Sequence, residues 1–226
     1  MAKGKFIVID GTDGSGKATQ TELLSQKLKK DGFKIKLADF PQYYKSFFGK
    51  MVGRFLAGEF GGLNDVDPYL ASVLYAGDRW EASKKIYQWL KAGNIIISNR
   101  YTASNMAHQG AKFSQSYKRK KFLSWLGEME FKIFGIPRED LLIFLDVPYA
   151  IGQKLVDKKG ARKYVGGKKK DIHESDLSYQ EKVRRFYKSL CRENKNWHAI
   201  NCVKRGEILP KEKIAEEVYE IVKKKL

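Results

Sequence analysis

Gly11-Thr12-Asp13-Gly14-Ser15-Gly16-Lys17 constrains this chain more than any other stretch of it. Ahead of it, Lys5-Phe6-Ile7-Val8-Ile9-Asp10 reads as a short buried strand ending in an acid. Behind it, Thr19 to Lys30 carries Leu23, Leu24 and Leu28 at helical spacing, and Asp31-Gly32 supplies the stop. A glycine-rich turn between a strand and a helix can wrap its backbone N–H groups around a phosphate. The helix adds the positive end of its dipole, and Lys17 adds a mobile charge for the β and γ oxygens of a nucleoside triphosphate. The turn matches the first seven positions of G-x-x-x-x-G-K-[ST] and departs at the eighth, where Ala18 replaces the hydroxyl and Thr19 follows one place later. Either Thr19 helps to hold Mg²⁺ or phosphates and water hold most of it, a shell that Mg²⁺ accepts readily.

The rest of the chain alternates strands with helices. Lys34 to Asp39 is a second strand ended by Pro41, and Asp67-Pro68 opens a helix that runs to Ala92. Ile95 to Asn99 and Leu141 to Asp146 are apolar strands of the kind buried on both faces, and Trp197 to Val203 is a fifth. Helices are expected at Ser116 to Phe134, Leu177 to Asn194 and Pro210 to Lys225. The pattern predicts one α/β domain over 226 residues, a five-stranded parallel sheet with helices on both faces and ligands at the strands' carboxyl ends.

The 44 basic against 26 acidic residues give a formal charge of +18, which favours anionic partners. Most of the lysines are scattered, as solvated faces are, and no aromatic-and-basic stripe of an RNA-recognition module occurs, so nucleic acid is not the expected partner. Hydrophobic residues at 42% exceed what a disordered chain carries. No apolar run approaches the roughly 18–20 residues of a membrane span. Cys191 and Cys202 and the isolated His108, His173 and His198 form no disulfide framework or zinc pattern. The first residues run straight into a strand, so no cleaved leader is expected and the protein is placed in the cytoplasm.

Three segments narrow the choice of phosphate acceptor: Asp39-Phe40-Pro41-Gln42-Tyr43, Tyr75-Ala76-Gly77-Asp78-Arg79-Trp80, and Asn99-Arg100-Tyr101-Thr102-Ala103-Ser104-Asn105. With Gly11 to Gln20 they resemble the thymidylate kinase family, with its GxDGxGK-x-TQ loop, FP segment, helix arginine and DRY-type motif. The likeness extends to Asp140 through Pro148 and to Asp171 through Tyr187, in the family's order. It implies a P-loop NTPase fold and transfer of the ATP γ-phosphoryl group to dTMP. By this resemblance Gly11, Asp13, Gly14, Ser15, Gly16, Lys17, Ala18 and Thr19 hold ATP, with Asp13 and Thr19 at its Mg²⁺. Arg79 contacts the thymine or its phosphate, Tyr75 stacks on the base, and Arg100 grips the acceptor phosphate. Asn105 and His108 line the base and deoxyribose pocket, Phe40 and Tyr43 flank the nucleotide, and Asp13 helps to place the acceptor phosphate. The family also implies a homodimer packed through helices, including the Asp67 to Ala92 helix.

Arginine suits such a site because its planar fork pairs with two phosphate oxygens at once. Two departures stand out. The DRY aspartate is Asn99, which removes a carboxylate expected near Mg²⁺ and the phosphates, and Gln42 stands where relatives often carry a charge. Lys154 to Lys170 holds eight basic residues and one acid, Asp157, and is expected to form a basic lid over the ATP phosphates, at about residues 154–172. The loop has no arginine of its own, and the family resemblance then implies that the lid supplies the transition-state cation, with Arg162 the candidate alongside Lys17 and Arg100. Three other readings stay open: a kinase for a different deoxynucleoside monophosphate, a basic P-loop nucleotide switch that binds nucleic acid, and a binding-only relative disabled by Ala18 and Asn99.

Overall fold

The computed structural model describes residues 4–156 and 176–226. Five strands, β1 (Lys5–Gly11), β2 (Ile35–Asp39), β3 (Ile95–Asn99), β4 (Leu141–Asp146) and β5 (Trp197–Asn201), form one sheet in the order β2-β3-β1-β4-β5. Every neighbouring pair in it is parallel. The helices are α1 (Lys17–Lys30), α2 (Phe47–Leu56), α3 (Pro68–Lys91), α4 (Thr102–Gly110), α5 (Ser116–Glu128), α6 (Tyr149–Val156), α7 (Leu177–Glu193) and α8 (Lys211–Lys223). A two-stranded hairpin of β6 (Val203–Lys204) and β7 (Glu207–Ile208) stands apart from the sheet.

The strands' side chains alternate between two cores, as a period of two requires. Phe6, Val8, Ile96, Leu142 and Phe144 face one side, against Ile86 of α3, Ala103 and Ala107 of α4, and Val183, Tyr187 and Leu190 of α7. Ile7, Ile9, Ile97, Ile143 and Leu145 face the other, against Leu24 and Leu28 of α1 and Ile214, Val218 and Val222 of α8. Each fully buried side chain of this size contributes about 1.5–3 kcal/mol. Both faces of β1 and β4 are therefore apolar, which is why they read as unbroken runs.

From the carboxyl end of β1 the chain turns one way, through α1 to β2. From the carboxyl end of β3 it turns the other way, across to β4. The connections diverge between these two neighbouring strands and leave a crevice there, where ligands of open α/β sheets bind. The register places Ile9 opposite Asn99 and Asp39 opposite Asn99, so the residues just beyond all three strands meet at one rim.

Four elements differ from the expected ones. The strand expected over Trp197 to Val203 ends at Asn201, and Val203 begins the separate β6–β7 hairpin. The α2 helix has no strong sequence signal because Gly49 and Gly53 lower its propensity; Ser46 caps it, accepting from the Gly49 N–H. The α4 helix turns Thr102, Asn105 and Gln109 inward, so its apolar periodicity is weak. The helix expected over Ser116 to Phe134 ends as α5 at Glu128 and continues as a π-turn, Met129–Ile133. Among the described residues no helix is long and apolar enough to cross a membrane.

Glu139, ahead of β4, links this layer to its neighbours: its carboxylate accepts from Trp197 Nε1 of β5 at 3.1 Å and from Thr102 Oγ1 of α4 at 3.5 Å. Burial pushes the carboxyl up to about 7 from 4.5, against the lowering effect of its hydrogen bonds. The folded protein thus keeps a proton that the unfolded chain has released, and stability falls as pH rises from about 4.5 to about 7. Glu139→Gln is expected to remove that slope, its melting temperature gaining on the parent's between pH 5 and pH 7.5 in thermal melts.

Candidate active site

The loop between β1 and α1 is shaped by two glycines in the left-handed region, Gly14 at φ 77° and Gly16 at φ 87°. Gly14 also meets the backbone of Gly152 in α6 so closely that no Cβ fits between them. Gly16 caps α1 with no side-chain bond, and the first turn of this helix presents the positive end of its dipole to the loop. Lys17 bends back over the loop, its Nζ donating to the Thr12 carbonyl at 2.8 Å and lying 4.0 Å from Asp13 Oδ1.

Arg100 lies directly across from this loop. It follows β3 with φ 65°, a backbone conformation that is costly for a non-glycine residue and persists only where neighbours enforce it. They do: its N–H donates to Ile9 O at 2.9 Å, and its carbonyl accepts from Ser98 Oγ at 2.7 Å. Its Nη2 donates to Asp13 Oδ1 at 2.7 Å and its Nη1 to Ser104 Oγ at 3.0 Å, with Asp10 Oδ1 3.6 Å from Nη1. Asp10 is wholly buried and accepts from the Gly11 N–H, from Ser104 and, at 2.9 Å, from the Tyr187 hydroxyl. Burial acts against the charge on Arg100, yet Asp13 and Asp10 outweigh it and hold its pKa well above the usual value.

A cavity of about 480 Å³ runs from the loop across Arg100 to the buried side of α3 and α4. Asp13, Gly14, Gly16, Lys17, Ala18 and Thr19 line one end, while Gly11 and Ser15 are buried and do not line it. Phe40, Tyr43, Tyr75, Arg79, Arg100, Asn105 and His108 all line the same cavity. Phe40 packs on Tyr101 at 5.5 Å between ring centroids, and Tyr75, one turn before Arg79, has its ring edge-on to Phe55. His108 sits 6.4 Å from the Tyr187 ring, and its carbonyl accepts from Tyr179. Arg162 and the greater part of the expected basic lid lie outside the described residues.

Arg79 is no surface arginine. It is 2% exposed and forms a two-pronged pair with Glu130 of the π-turn, Nε to Oε2 at 2.8 Å and Nη2 to Oε1 at 2.7 Å. Burial disfavours its charge, and Glu130 more than compensates, raising the pKa. Asn105 donates through Nδ2 to Ser72 O and to Glu130 Oε1, both at 3.2 Å.

Both departures at the acceptor end have local explanations. Asn99 Nδ2 donates to Asp39 Oδ1 at 2.8 Å, and both residues line the cavity, so a carboxylate stands beside the amide although the DRY position lacks one. Gln42 bonds the buried Asp78 through its backbone N–H at 2.9 Å and through its side chain at 3.3 Å, which fixes the Phe40–Tyr43 turn to α3. Burial raises the Asp78 carboxyl, against the bonds from Ser46 and Gln42.

Among the described residues no group of three or more His, Cys, Asp or Glu side chains could hold a metal ion. Asp13 and Thr19 do line the cavity at the loop end, and one carboxylate with a hydroxyl fits an ion that takes its other ligands from phosphates and water.

The thymidylate kinase family profile matches residues 9–212. The chain is 32% identical over 224 residues to a probable thymidylate kinase of Thermococcus onnurineus, covering 97% of this chain and 100% of that one. It is 29% identical over 185 residues to thymidylate kinase of Mycobacterium tuberculosis, covering 82% and 85%. The fold superposes on a structure of thymidylate kinase from Candida albicans with a TM-score of 0.74 at 25% identity, over 99% of this chain and 93% of that one. With a matched profile across nearly its whole length, a phosphate loop at β1 and an arginine facing it from β3, this chain belongs to the thymidylate kinase family, a family of phosphotransferases.

Proposed function

We propose that the protein transfers the γ-phosphoryl group of ATP to the 5′-phosphate of dTMP, giving dTDP and ADP. The observation that carries this reading is the single cavity in which the phosphate loop, Arg100 and the buried Arg79–Asn105 end form one continuous wall. Its volume of about 480 Å³ suits nucleotide-sized ligands.

The ATP phosphates lie on the loop and the first turn of α1, and Lys17 exchanges the Thr12 carbonyl for β and γ oxygens. Arg100 borders the cavity and carries a charge that its neighbours secure, so it takes the acceptor phosphate. Arg79 has its charge already balanced by Glu130, so it offers N–H donors to a carbonyl of the base rather than net charge to a phosphate. Tyr75 stacks on that base, Phe40 and Tyr43 flank the nucleotide, and His108 beside Tyr187 crowds the sugar where a ribose hydroxyl would sit. In the transfer, an oxygen of the dTMP phosphate forms a bond to the γ phosphorus while the bond to the bridging oxygen of ADP breaks. Positioning and cationic stabilisation supply most of the acceleration. Asp13 and Thr19, with phosphates and water, would hold Mg²⁺, which would supply positive charge to the phosphate oxygens.

We propose further that residues 1–226 form one catalytic domain working in the cytoplasm, where free thiols such as Cys191 and Cys202 stay reduced. The proposed enzyme is a homodimer packed through α3. Trp80 and Tyr87 are half exposed two turns apart on one face of that helix, an apolar surface suited to a second copy.

ADP release measured with dTMP, dUMP, dCMP, dGMP and UMP is expected to be fastest with dTMP; a dTMP rate no higher than a water control would overturn the assignment. Lys17→Ala and Arg100→Ala are each expected to lower kcat by on the order of 10²–10³, the loss typical of removing one donor to developing charge. Sedimentation at micromolar concentration should show a dimer, and monomer alone would remove the α3 interface.

A further inference from the structure

Resting on that reading of the base end of the cavity, we infer that Glu130 decides which pyrimidine the site accepts, by fixing the hydrogen-bonding polarity of the two side chains that face the base. Glu130 is wholly buried behind the wall that Arg79 and Asn105 line, so it is a positioning residue and does not touch the nucleotide. Its Oε2 accepts from Arg79 Nε, and its Oε1 accepts from both Arg79 Nη2 and Asn105 Nδ2. The second acceptor beside Asn105 Nδ2 is the Ser72 carbonyl of α3.

Two acceptors behind the Asn105 amide settle its orientation. Turned over, it would set its oxygen against the Glu130 carboxylate and the Ser72 carbonyl, acceptor facing acceptor in a buried site. Asn105 Oδ1 is therefore the atom left over, buried and without a hydrogen-bond partner among the described residues, on a side chain that lines the cavity. A base placed there meets an acceptor from Asn105 and donors from Arg79. Thymine and uracil carry an N3–H beside a C4 carbonyl and complement that pair. Cytosine carries a lone pair at N3 and an amino group at C4, which sets acceptor against acceptor and donor against donor. Rejection by mismatched buried polar groups discriminates far more strongly than a change of size does. The π-turn is part of the device: its wider turn, rare in helices and frequent at functional sites, is where the chain delivers Glu130 to both partners.

The test compares kcat/KM for dTMP, dUMP and dCMP in the parent, Glu130→Gln and Glu130→Asp, with the KM for ATP and the melting temperature recorded for each. Glu130→Gln replaces one acceptor oxygen by a donor, so the Asn105 amide can turn and offer N–H to the base. The dTMP:dCMP ratio is expected to fall about tenfold or more, chiefly through a higher KM for dTMP, with the KM for ATP unchanged. Glu130→Asp keeps the charge one methylene short; its ratio should fall less, and it carries the comparison if the amide variant does not fold. A merely structural role predicts a lower melting temperature and a common loss of kcat for every acceptor with the ratio intact, and that result in whichever variant folds overturns the inference. A parent with no preference for dTMP over dCMP overturns the thymidylate reading and this inference together. A parent that prefers dTMP, with variants that keep the preference, overturns the inference alone.

Discussion

The structure depends on how Arg100 is held. A guanidinium at the end of a buried strand, with φ in the left-handed region, is unfavourable twice over: in backbone strain of about 1–3 kcal/mol and in desolvation of a charge. Asp10 and Asp13 offset the second, and the backbone bonds to β1 and β3 enforce the first. The parallel pairing of β1 with β3 puts those carboxylates opposite that arginine. The sheet order, the divergence of the two connections and the phosphate loop all converge on the same few ångströms.

The same logic recurs with a different outcome at each cation. Arg184 and Lys188 of α7 both bind Asp146 at the end of β4, at 2.6 and 2.9 Å, which ties that helix to the sheet rim. Among the described residues, the two arginines at the cavity are each matched with a carboxylate, Arg79 with Glu130 and Arg100 with Asp13. Paired cations are rigid, and rigidity serves a site whose task is alignment.

Much of this was legible in the chain. The loop, its flanking strand and helix, and the apolar runs of β1, β3 and β4 follow from periods and spacings that local sequence carries. Arg100 was visible because it follows a buried strand directly. Glu130 was not, because it sits inside what reads as a uniform helix from Ser116 to Phe134, and its partner lies 51 residues away. Asp39 was hidden differently: Asn99 looks like the loss of a carboxylate until the β2–β3 register sets the two side by side. Pairings of this kind belong to tertiary structure, and a pattern along one strand or helix does not contain them.

In the proposed function, Arg79 and Arg100 put one residue type to two recognition tasks. Arg100 lines the cavity together with Asp13, and a phosphate dianion offers it a stronger partner than Asp13 does. Arg79 has both prongs committed to a carboxylate at 0% exposure, and separating that pair would leave Glu130 charged in an apolar interior. An incoming phosphate therefore does not displace Glu130, and with Nη1 also donating to the Tyr101 carbonyl at 3.4 Å the guanidinium is held at a fixed angle. On the proposed reading, the contrast between the partly exposed Asp13 beside Arg100 and the wholly buried Glu130 beside Arg79 suits one arginine to clamping charge and the other to reading a hydrogen-bond pattern.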